Sequence, residues 1–354
     1  MSAVRYPRMQ SLCFTGRVVR TIAAALILVA SLAAQGRGGR GGGAPPALGP
    51  CDRACLEGFI DQYLDALVAH NAFGLPLAQK VKFSENDQLL DLGDGLWNVT
   101  TDIGTYKLYV SDPQRGQVGF FGTVRENGRP TALAIRLKID NRKISEIETL
   151  VYRGGGGPPP GGLGGRGGDA KGPPPPPPPP TGAAALEEMK VDPVFLETPP
   201  AKERVSRDEL VKLSNTYFDA IEQGNAPANA FDPQCNRVEN GAKIAAGCAD
   251  QINSKVLSYI QTVYPRRPVV VDEERQLVFG FFMLQQPGDL LFVESLGRGT
   301  VKFPDSATQP GFTEVAQLFK IKDGKIRKTE SLTLGVPYGT PNPFFNDDWR
   351  KPKK

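Results

Sequence analysis

The sequence contains little of what metal sites and membrane spans require. Its 354 residues include one histidine, His70, and five cysteines, with no C-x2-C spacing. Zinc sites need clustered His and Cys ligands, so we expect no metal centre. For the cysteines, a zinc site is the weaker alternative to disulfide bonds. The apolar run at residues 22–34 has 13 residues, whereas a helix needs about 20 to span a bilayer. We therefore expect no membrane span after processing.

Signatures of several large enzyme classes are missing too. We find no phosphate-binding loop, dinucleotide fingerprint or nucleophile elbow, and hence expect no cofactor. Removal of residues 1–35 would take away four arginines and no acid, which leaves 38 basic and 38 acidic residues. A formally neutral chain lacks the positive field that attracts nucleic acids, so nucleic-acid binding is not expected.

The N-terminus has the pattern of an export signal. Four arginines precede the apolar run, which ends in small residues, as is typical of a cleaved secretory signal; an uncleaved anchor is the alternative. We expect a signal peptide over residues 1–34 and a secreted or periplasmic protein. Four cysteines then remain in an oxidising compartment, which favours disulfides. Three connectivities are open, and we favour Cys51–Cys55 with Cys235–Cys248 because each pair lies within one folded block.

Glycine and proline divide the chain. Residues 154–180 hold 11 Gly and 11 Pro, including eight consecutive prolines, and this composition is typical of a disordered linker. We expect proteolysis in the linker to release two folded fragments. The predicted order is a signal peptide at 1–34, a Gly-rich disordered segment at 35–50, domains at 51–153 and 185–345, a Gly/Pro-rich linker at 154–184 and a basic tail at 346–354.

Each block begins with a helix and continues with strands. Apolar residues from Cys55 to Val68 recur on one helical stripe, and strand-like runs follow near 103–110, 117–125, 131–139 and 144–152. The second block opens with a capping box at Ser206 to Glu209. In that block the spacing of Ile252, Val256 and Ile260 predicts a further helix. A helix followed by mostly antiparallel strands favours the α+β class.

Matched motifs indicate that the second block duplicates the first. Tyr63 and Glu85 correspond to Tyr217 and Glu239, 154 residues further on. Asp112 corresponds to Asp272, 160 residues on, and the two last hairpins are 182 residues apart. Offsets that grow in one order indicate duplication followed by insertions.

A family resemblance follows from these motifs. The long first helix, the E-N-[DG] turn, the G-D-G-L-W stretch at residues 93–97 and the hairpin R-L-K-I-D-N-R-K-I-S-E-I-E at 136–148 resemble SnoaL-like domains of the nuclear transport factor 2-like superfamily. The resemblance implies two cone-shaped domains, each with helices packed on a curved antiparallel sheet around a pocket. Because that fold hosts isomerases, cyclases, dehydratases and non-catalytic proteins, it implies no single activity.

Three carboxylates are the candidate catalytic groups. With Asn141-Arg142 as a two-residue turn, Glu146 and Glu148 fall on the apolar face of the hairpin. Period-2 alternation puts Glu85 on the inward face too. Burial would raise their pKa values toward those of a general base, with Glu146 the best candidate. The structural alternative is that these acids form ion pairs.

The remaining candidates are binding residues. Lys328 takes the place of Glu146 in the second block, beside Glu330, and we expect these two to form an internal ion pair. Tyr63, Trp97 and Phe120 either line a pocket for a flat apolar ligand or belong to the plain core. Two functions stay open: a module that binds a small apolar molecule or assembles through its sheets, and a cofactor-free isomerase, cyclase or dehydratase acting on a small carbonyl compound.

Overall fold

The computed structural model describes residues 49–154, 180–244, 247–295 and 299–345. The predicted signal peptide and basic tail, with most of the Gly-rich segment and the linker, lie outside these residues. The described chain is α+β, with two domains that are each built on a six-stranded mixed sheet. All described residues fall within one compact unit.

The first domain follows the predicted order of a helix and then strands. Helix α1 spans Arg53–Val68, and the Asp52 carboxylate caps it by accepting a hydrogen bond from the Cys55 backbone N–H at 2.9 Å. A short 3-10 helix, Gly95–Asn98, lies before the third strand. The strands are β1 (Leu77–Glu85), β2 (Gln88–Leu89), β3 (Thr100–Asp112), β4 (Gln117–Glu126), β5 (Arg129–Asp140) and β6 (Lys143–Tyr152).

The second domain repeats this order with additions. Helices α2 (Gly182–Glu188) and α3 (Pro193–Leu196) precede α4 (Arg207–Gln223), which Ser206 caps as predicted, and α5 (Cys248–Asn253) follows later. The helix predicted through Ile260 is wrong beyond Asn253, because turns follow and Lys255 takes a positive φ of 59°. The strands are β7 (Phe231–Glu239), β8 (Ala242–Ile244), β9 (Thr262–Asp272), β10 (Leu277–Gln286), β11 (Phe292–Ser295), β12 (Gly299–Lys302), β13 (Gly311–Lys322) and β14 (Lys325–Val336).

The two large sheets have the same topology and register. Their orders are β2-β1-β6-β5-β4-β3 and β8-β7-β14-β13-β10-β9, with a separate β11-β12 hairpin. In the first sheet Phe83 of β1 lies beside Ile147 of the parallel strand β6. In the second sheet Arg237 lies beside Thr329. Arg237 is 154 positions after Phe83, and Thr329 is 182 positions after Ile147. Residues matched by these offsets are therefore structurally equivalent.

A β-bulge in the last hairpin changes the predicted register. The turn residues Asn141 and Arg142 both have positive φ, and Ile139 pairs with Ile144 as predicted. The next pair is Lys138 with Glu146, since Ser145 is inserted between them. One inserted residue moves every later side chain to the opposite face. The placement of Glu146 and Glu148 on the apolar face next to the helix is therefore wrong.

The chain forms four layers, in the order helix, sheet, sheet, helix. Helix α1 covers one face of the first sheet and α4 covers one face of the second, each over its own apolar core. The remaining faces meet in a third core that holds residues of both sheets, such as Phe121 and Phe279, whose rings meet edge to face at 5.3 Å. Helix α2 begins at Gly182, inside the predicted linker, and its Leu186 is buried in this shared core.

Reciprocal ion pairs give the junction of the two sheets an approximate twofold character. Arg53 opens α1 and binds Asp272 through both terminal nitrogens, at 2.7 and 2.8 Å. Arg207 opens α4 and binds Asp112, the residue equivalent to Asp272. The two halves of the duplication thus contact each other as the subunits of an isologous dimer do.

The described cysteines are paired locally. Disulfides join Cys51 to Cys55, at the entrance of α1, and Cys235 to Cys248, which confirms the predicted pairing. Within the described residues we find no helix with the length and hydropathy that a bilayer span demands.

Candidate functional site

The predicted catalytic pair lies in a charge network between the sheets. Arg136 Nε donates to Glu148 Oε2 at 2.8 Å, and its Nη2 donates to Glu146 Oε2 at 2.7 Å. Arg267 of the second sheet binds both oxygens of Glu148. Burial alone would raise the pKa of Glu148, but the two guanidinium groups outweigh it and hold that pKa below its ordinary value. Such a carboxylate stays charged and paired, which suits a structural role better than that of a general base.

The third predicted acid, Glu85, lies on the helix side of the first sheet. It is 7% exposed, and its carboxylate accepts hydrogen bonds from the Leu96 backbone N–H at 2.8 Å and from Arg153 Nη2 at 3.0 Å. The carboxylate therefore caps the 3-10 helix that carries Trp97. Its contacts explain its burial without a ligand.

The predicted aromatic ligand contacts fill the core of the first domain. Tyr63 and Trp97 pack edge to face with ring centres 5.1 Å apart, and Phe120 packs in the same core. Each is at most 1% exposed. Their positions correspond to the plain-core alternative.

The second domain has an open cavity at the equivalent place. Its volume is about 370 Å³, and it lies between α4, α5 and the helix-side face of the second sheet. Apolar residues form much of the wall: Phe218, Ile221, Leu257, Ile260, Leu284 and Val315. Polar side chains interrupt it: Tyr217, Arg237, Glu239, Gln251, Tyr259 and Gln317.

Arg237 is the centre of the polar wall. Its Nη1 lies 3.3 Å from both the Tyr217 hydroxyl and Gln251 Oε1, and its Nη2 binds the Glu239 carboxylate. Its Nε is buried and without a partner among the described residues. Burial raises the pKa of Tyr259 against a smaller opposing effect of Arg237, so this hydroxyl is a neutral hydrogen-bond donor. The wall offers hydrogen bonds with no net charge from Arg237 and Glu239.

Substitutions between the repeats give the interior of the second domain its polar wall. The positions of Arg237, Gln317 and Thr333 are held in the first domain by apolar residues that belong to its core: Phe83, Ile135 and Val151. The first domain also fills its interior with Trp97. In the second domain α5 occupies the corresponding stretch and contributes the polar Gln251. One repeat has therefore kept a solid core where the other has a polar-lined cavity.

Sequence reasoning missed these cavity residues. The available signal was period-2 spacing, since Arg237 and Glu239 share a strand face, and Gln317 lies between Val315 and Phe319 on the apolar face of β13. Comparison of the repeats at Phe83 and Ile135 exposes the polar replacements Arg237 and Gln317.

Lys328 and Glu330 lie in a second concavity, at the junction of the domains. The predicted ion pair between them is wrong, because Lys328 Nζ binds Asp192 Oδ2 at 2.6 Å and Asn236 Oδ1 at 2.8 Å. Glu330 Oε2 instead accepts from the Tyr106 hydroxyl of the first domain at 2.9 Å. Lys328 and Glu330 project from the same face of β14, but Asp192, which precedes α3, competes for the ammonium group.

One family model matches part of the chain. Residues 203–333, most of the second domain, match a family model described as a domain of unknown function, DUF8021. The comparison with curated proteins gave no match. Among solved structures, the chain is similar to one described as "Crystal structure of a de novo designed protein with curved beta-sheet". That match has 14% identity and a TM-score of 0.25, and it covers 29% of this chain and 88% of the other.

Proposed function

We propose that this protein is an exported binding module that holds one small, mainly apolar molecule in the cavity of its second domain. The observation that carries the proposal is the 370 Å³ cavity with a polar group on an apolar wall. Ligand sites in proteins typically enclose about 300–1,000 Å³, with a few polar groups that orient the ligand. The cavity lies at the lower end of this range.

The wall chemistry indicates the kind of ligand. The Arg237–Glu239 pair neutralises itself, so a ligand with a full charge would gain little from it. The guanidinium group and the Tyr259 hydroxyl are donors and call for a carbonyl or hydroxyl acceptor on the ligand. A neutral molecule with an apolar body and one oxygen acceptor fits these groups.

The domain type and location belong to the same proposal. The SnoaL-like cone is supported by the order of a helix and six strands in both repeats, and by a cavity between helix and sheet in the second. Export is supported by two disulfides, which persist in oxidising compartments. N-terminal sequencing of the purified protein should place the first residue near Ala34 or Gln35, and a chain that begins at Met1 would contradict export with cleavage.

One observation favours the alternative of a cofactor-free isomerase, cyclase or dehydratase. Glu239 places a carboxylate on the cavity wall, as a general base would require, at the position equivalent to Glu85. Arg237 already binds this carboxylate, so the binding module remains the better supported function. Mass spectrometry of molecules that co-purify with the wild-type chain and with Glu239→Gln would separate the two. An enzyme should yield a substrate and its product from the wild type and the substrate alone from Glu239→Gln, whereas a binding module should yield no such pair of compounds related by a reaction.

Binding can be tested with 6-propionyl-2-(dimethylamino)naphthalene, a neutral dye with one ketone acceptor whose emission rises in apolar pockets. We expect one saturable site per chain in the wild type. Arg237→Phe replaces the central hydrogen-bond donor of the polar wall with the first domain's apolar side chain and should weaken dye binding by about tenfold or more, which corresponds to about 1.4 kcal/mol.

A variant in the other domain is the matched control. Phe83→Leu changes the equivalent position, where the core is solid, and should leave dye affinity within about twofold. Circular dichroism should confirm that both variants fold. Equal weakening in both variants, or no saturable binding to the wild type, would contradict a cavity site in the second domain.

A further inference from the structure

A cleft at the junction of the domains is separate from the cavity. Its volume is about 320 Å³, and its walls come from β3, β8, β14 and the segment between α2 and α3. Tyr106, Met189, Val191 and Pro193 form its less polar wall. Its charged residues are Lys190, Asp192, Lys243, Lys328 and Glu330. Neither sheet alone provides this set of groups.

Glu330, which lines the cleft, has one unsatisfied carboxyl oxygen. The residue is 2% exposed, and while Oε2 accepts from Tyr106, Oε1 is buried and has no partner among the described residues. A buried carboxyl oxygen without a hydrogen bond costs free energy. Burial raises the pKa of Glu330 to about 7, so a large fraction of the molecules carry a proton on this group at neutral pH. In that form the carboxyl group can donate a hydrogen bond.

The other groups around Glu330 give the cleft a positive balance. Lys328 is 4% exposed and shares its ammonium group with Asp192 and Asn236. Lys190 and Lys243 are exposed, and in the part of the chain that the structure describes neither has an ion-pair partner. Asp192 is the other acid. Three lysines thus face one committed aspartate and one carboxyl group that can be neutral.

We propose that this cleft binds a small oxyanion, a carboxylate or a phosphate, and that Glu330 takes up a proton when the anion binds. The lysines attract the anion, and the protonated carboxyl group donates a hydrogen bond to it. An ionised Glu330 would repel the same anion at close range. The less polar wall of Met189 and Val191 suits an anion with a short organic part.

Anion binding in the cleft should therefore depend on pH. Among the groups that face Glu330, burial raises the pKa of Tyr106 further above neutrality. Burial alone would raise the pKa of Asp192, but Lys328 and the Val194 N–H hold it below its ordinary value. Neither group therefore titrates between pH 6 and 8, and the lysines Lys190, Lys243 and Lys328 supply the positive charge. With a pKa of about 7, protonation of Glu330 falls about tenfold over this range.

Calorimetric titration of the full chain with benzoate, at constant ionic strength, tests the linkage. Benzoate stays ionised from pH 6 to 8, so a change in affinity reports on the protein. We expect affinity about tenfold weaker at pH 8 than at pH 6. Heats measured in buffers of different ionisation enthalpy should show uptake of about half a proton at pH 7. A parallel titration with inorganic phosphate at pH 6 decides which oxyanion the cleft prefers.

Two substitutions with matched controls identify the residues. Glu330→Gln keeps a hydrogen-bond donor but cannot titrate, so it should bind at pH 6 and lose the pH dependence. Glu314→Gln replaces a buried carboxyl group outside the cleft and should retain the pH dependence of binding. Lys243→Met should weaken binding, whereas Lys212→Met, on the surface of α4, should not. If neither anion binds at pH 6, or if Glu330→Gln keeps a tenfold pH effect, the proposal fails.

Discussion

Glu146 and Glu148 are two residues apart on one strand, yet the structure gives them different energetic roles. Glu148 is buried and joins Arg136 of the first sheet to Arg267 of the second. Glu146 shares Arg136 with it, and its side chain remains 28% exposed. The charge of Glu148 therefore contributes more to the stability of the fold than that of Glu146.

We predict unequal costs for neutralising these two acids. Glu148→Gln leaves two buried guanidinium groups short of a counter-charge and should destabilise the chain by about 3–5 kcal/mol. Glu146→Gln removes a partly solvated partner and should cost about 0–1 kcal/mol. Urea unfolding of both variants at pH 7 measures the difference. Equal losses would show that the network does not distinguish the two positions.

Three other buried acids should make stability depend on pH in an unusual direction. Burial raises the pKa of Asp87 to about 7, with Glu148 nearby adding to the effect, and it raises the pKa of Glu330 to about 7. Glu314 has both carboxyl oxygens buried without a partner among the described residues, and burial, together with Asp87, raises its pKa strongly. A raised folded-state pKa means that the folded chain holds protons that the unfolded chain releases.

The sign of the pH effect follows from these protons. Ordinary values for the groups are 3.8 and 4.5, so stability should fall as pH rises from about 4.5 through 7. Glu148, with its lowered pKa, acts oppositely and loses its contribution as pH falls through its folded value. We therefore expect a higher melting temperature at pH 5 than at pH 8. Glu314→Gln should reduce that difference, and a melting temperature that rises from pH 5 to 8 would contradict the assignment.

At the scale of the elements, the bulge in the last hairpin decides which face each side chain takes. Both domains have it: Ser145 is the inserted residue in the first, and Arg327, 182 positions on, in the second. Ser145 Oγ donates to Asp140 Oδ2 at 2.6 Å, which fixes the kink locally. Without the bulge, Glu148 would point into the apolar core under α1.

Deletion of Ser145 should therefore destabilise the fold far more than its substitution. The deletion restores the regular register and exchanges the two faces of β6 beyond it, which buries Glu148 among apolar groups and turns Ile147 away from its core. We expect the deletion variant not to fold, as seen by loss of the near-ultraviolet dichroism. Ser145→Ala keeps the residue count and should cost about 1 kcal/mol. A folded deletion variant would mean that the register is set elsewhere.

The bulge is also a feature of the fold that the sequence did not predict. Helix α1, the cap at Ser206, the turn at Asn141 and the local disulfides follow from local patterns, and all were predictable. The bulge was not, because the turn at Asn141 is compatible with either register, and one contact that favours the bulged register, Arg267 with Glu148, comes from the second sheet. The polar cavity residues were missed for another reason, since Arg237 and Gln317 lie on the helix-side face of the sheet, where alternation alone predicts apolar core residues.

For the molecule as a whole, the junction of the sheets is tighter than a flexible tether between independent domains would suggest. Phe279 occupies the space beside Gly119, where an added Cβ would lie 2.5 Å from its ring. Phe344, in the segment that follows β14, crosses to the junction, where its ring lies 4.8 Å from the Arg136 guanidinium and 5.5 Å from that of Arg267. Contacts from both halves thus complete one interior.

This changes the expected result of cutting the linker. Fragments cleaved after Arg166 or Lys171 should remain together in gel filtration at neutral pH, because separation would expose the shared core and the pairs Arg53–Asp272 and Arg207–Asp112. Gly119→Ala should make the cleaved complex separate at lower urea, since the methyl group collides with Phe279. Gly335→Ala, on β14, meets no atom within 4 Å and serves as the matched control, with no loss expected. Two separately eluting, folded fragments from the wild type would instead establish independent domains, and the inter-sheet network would then contribute little to stability.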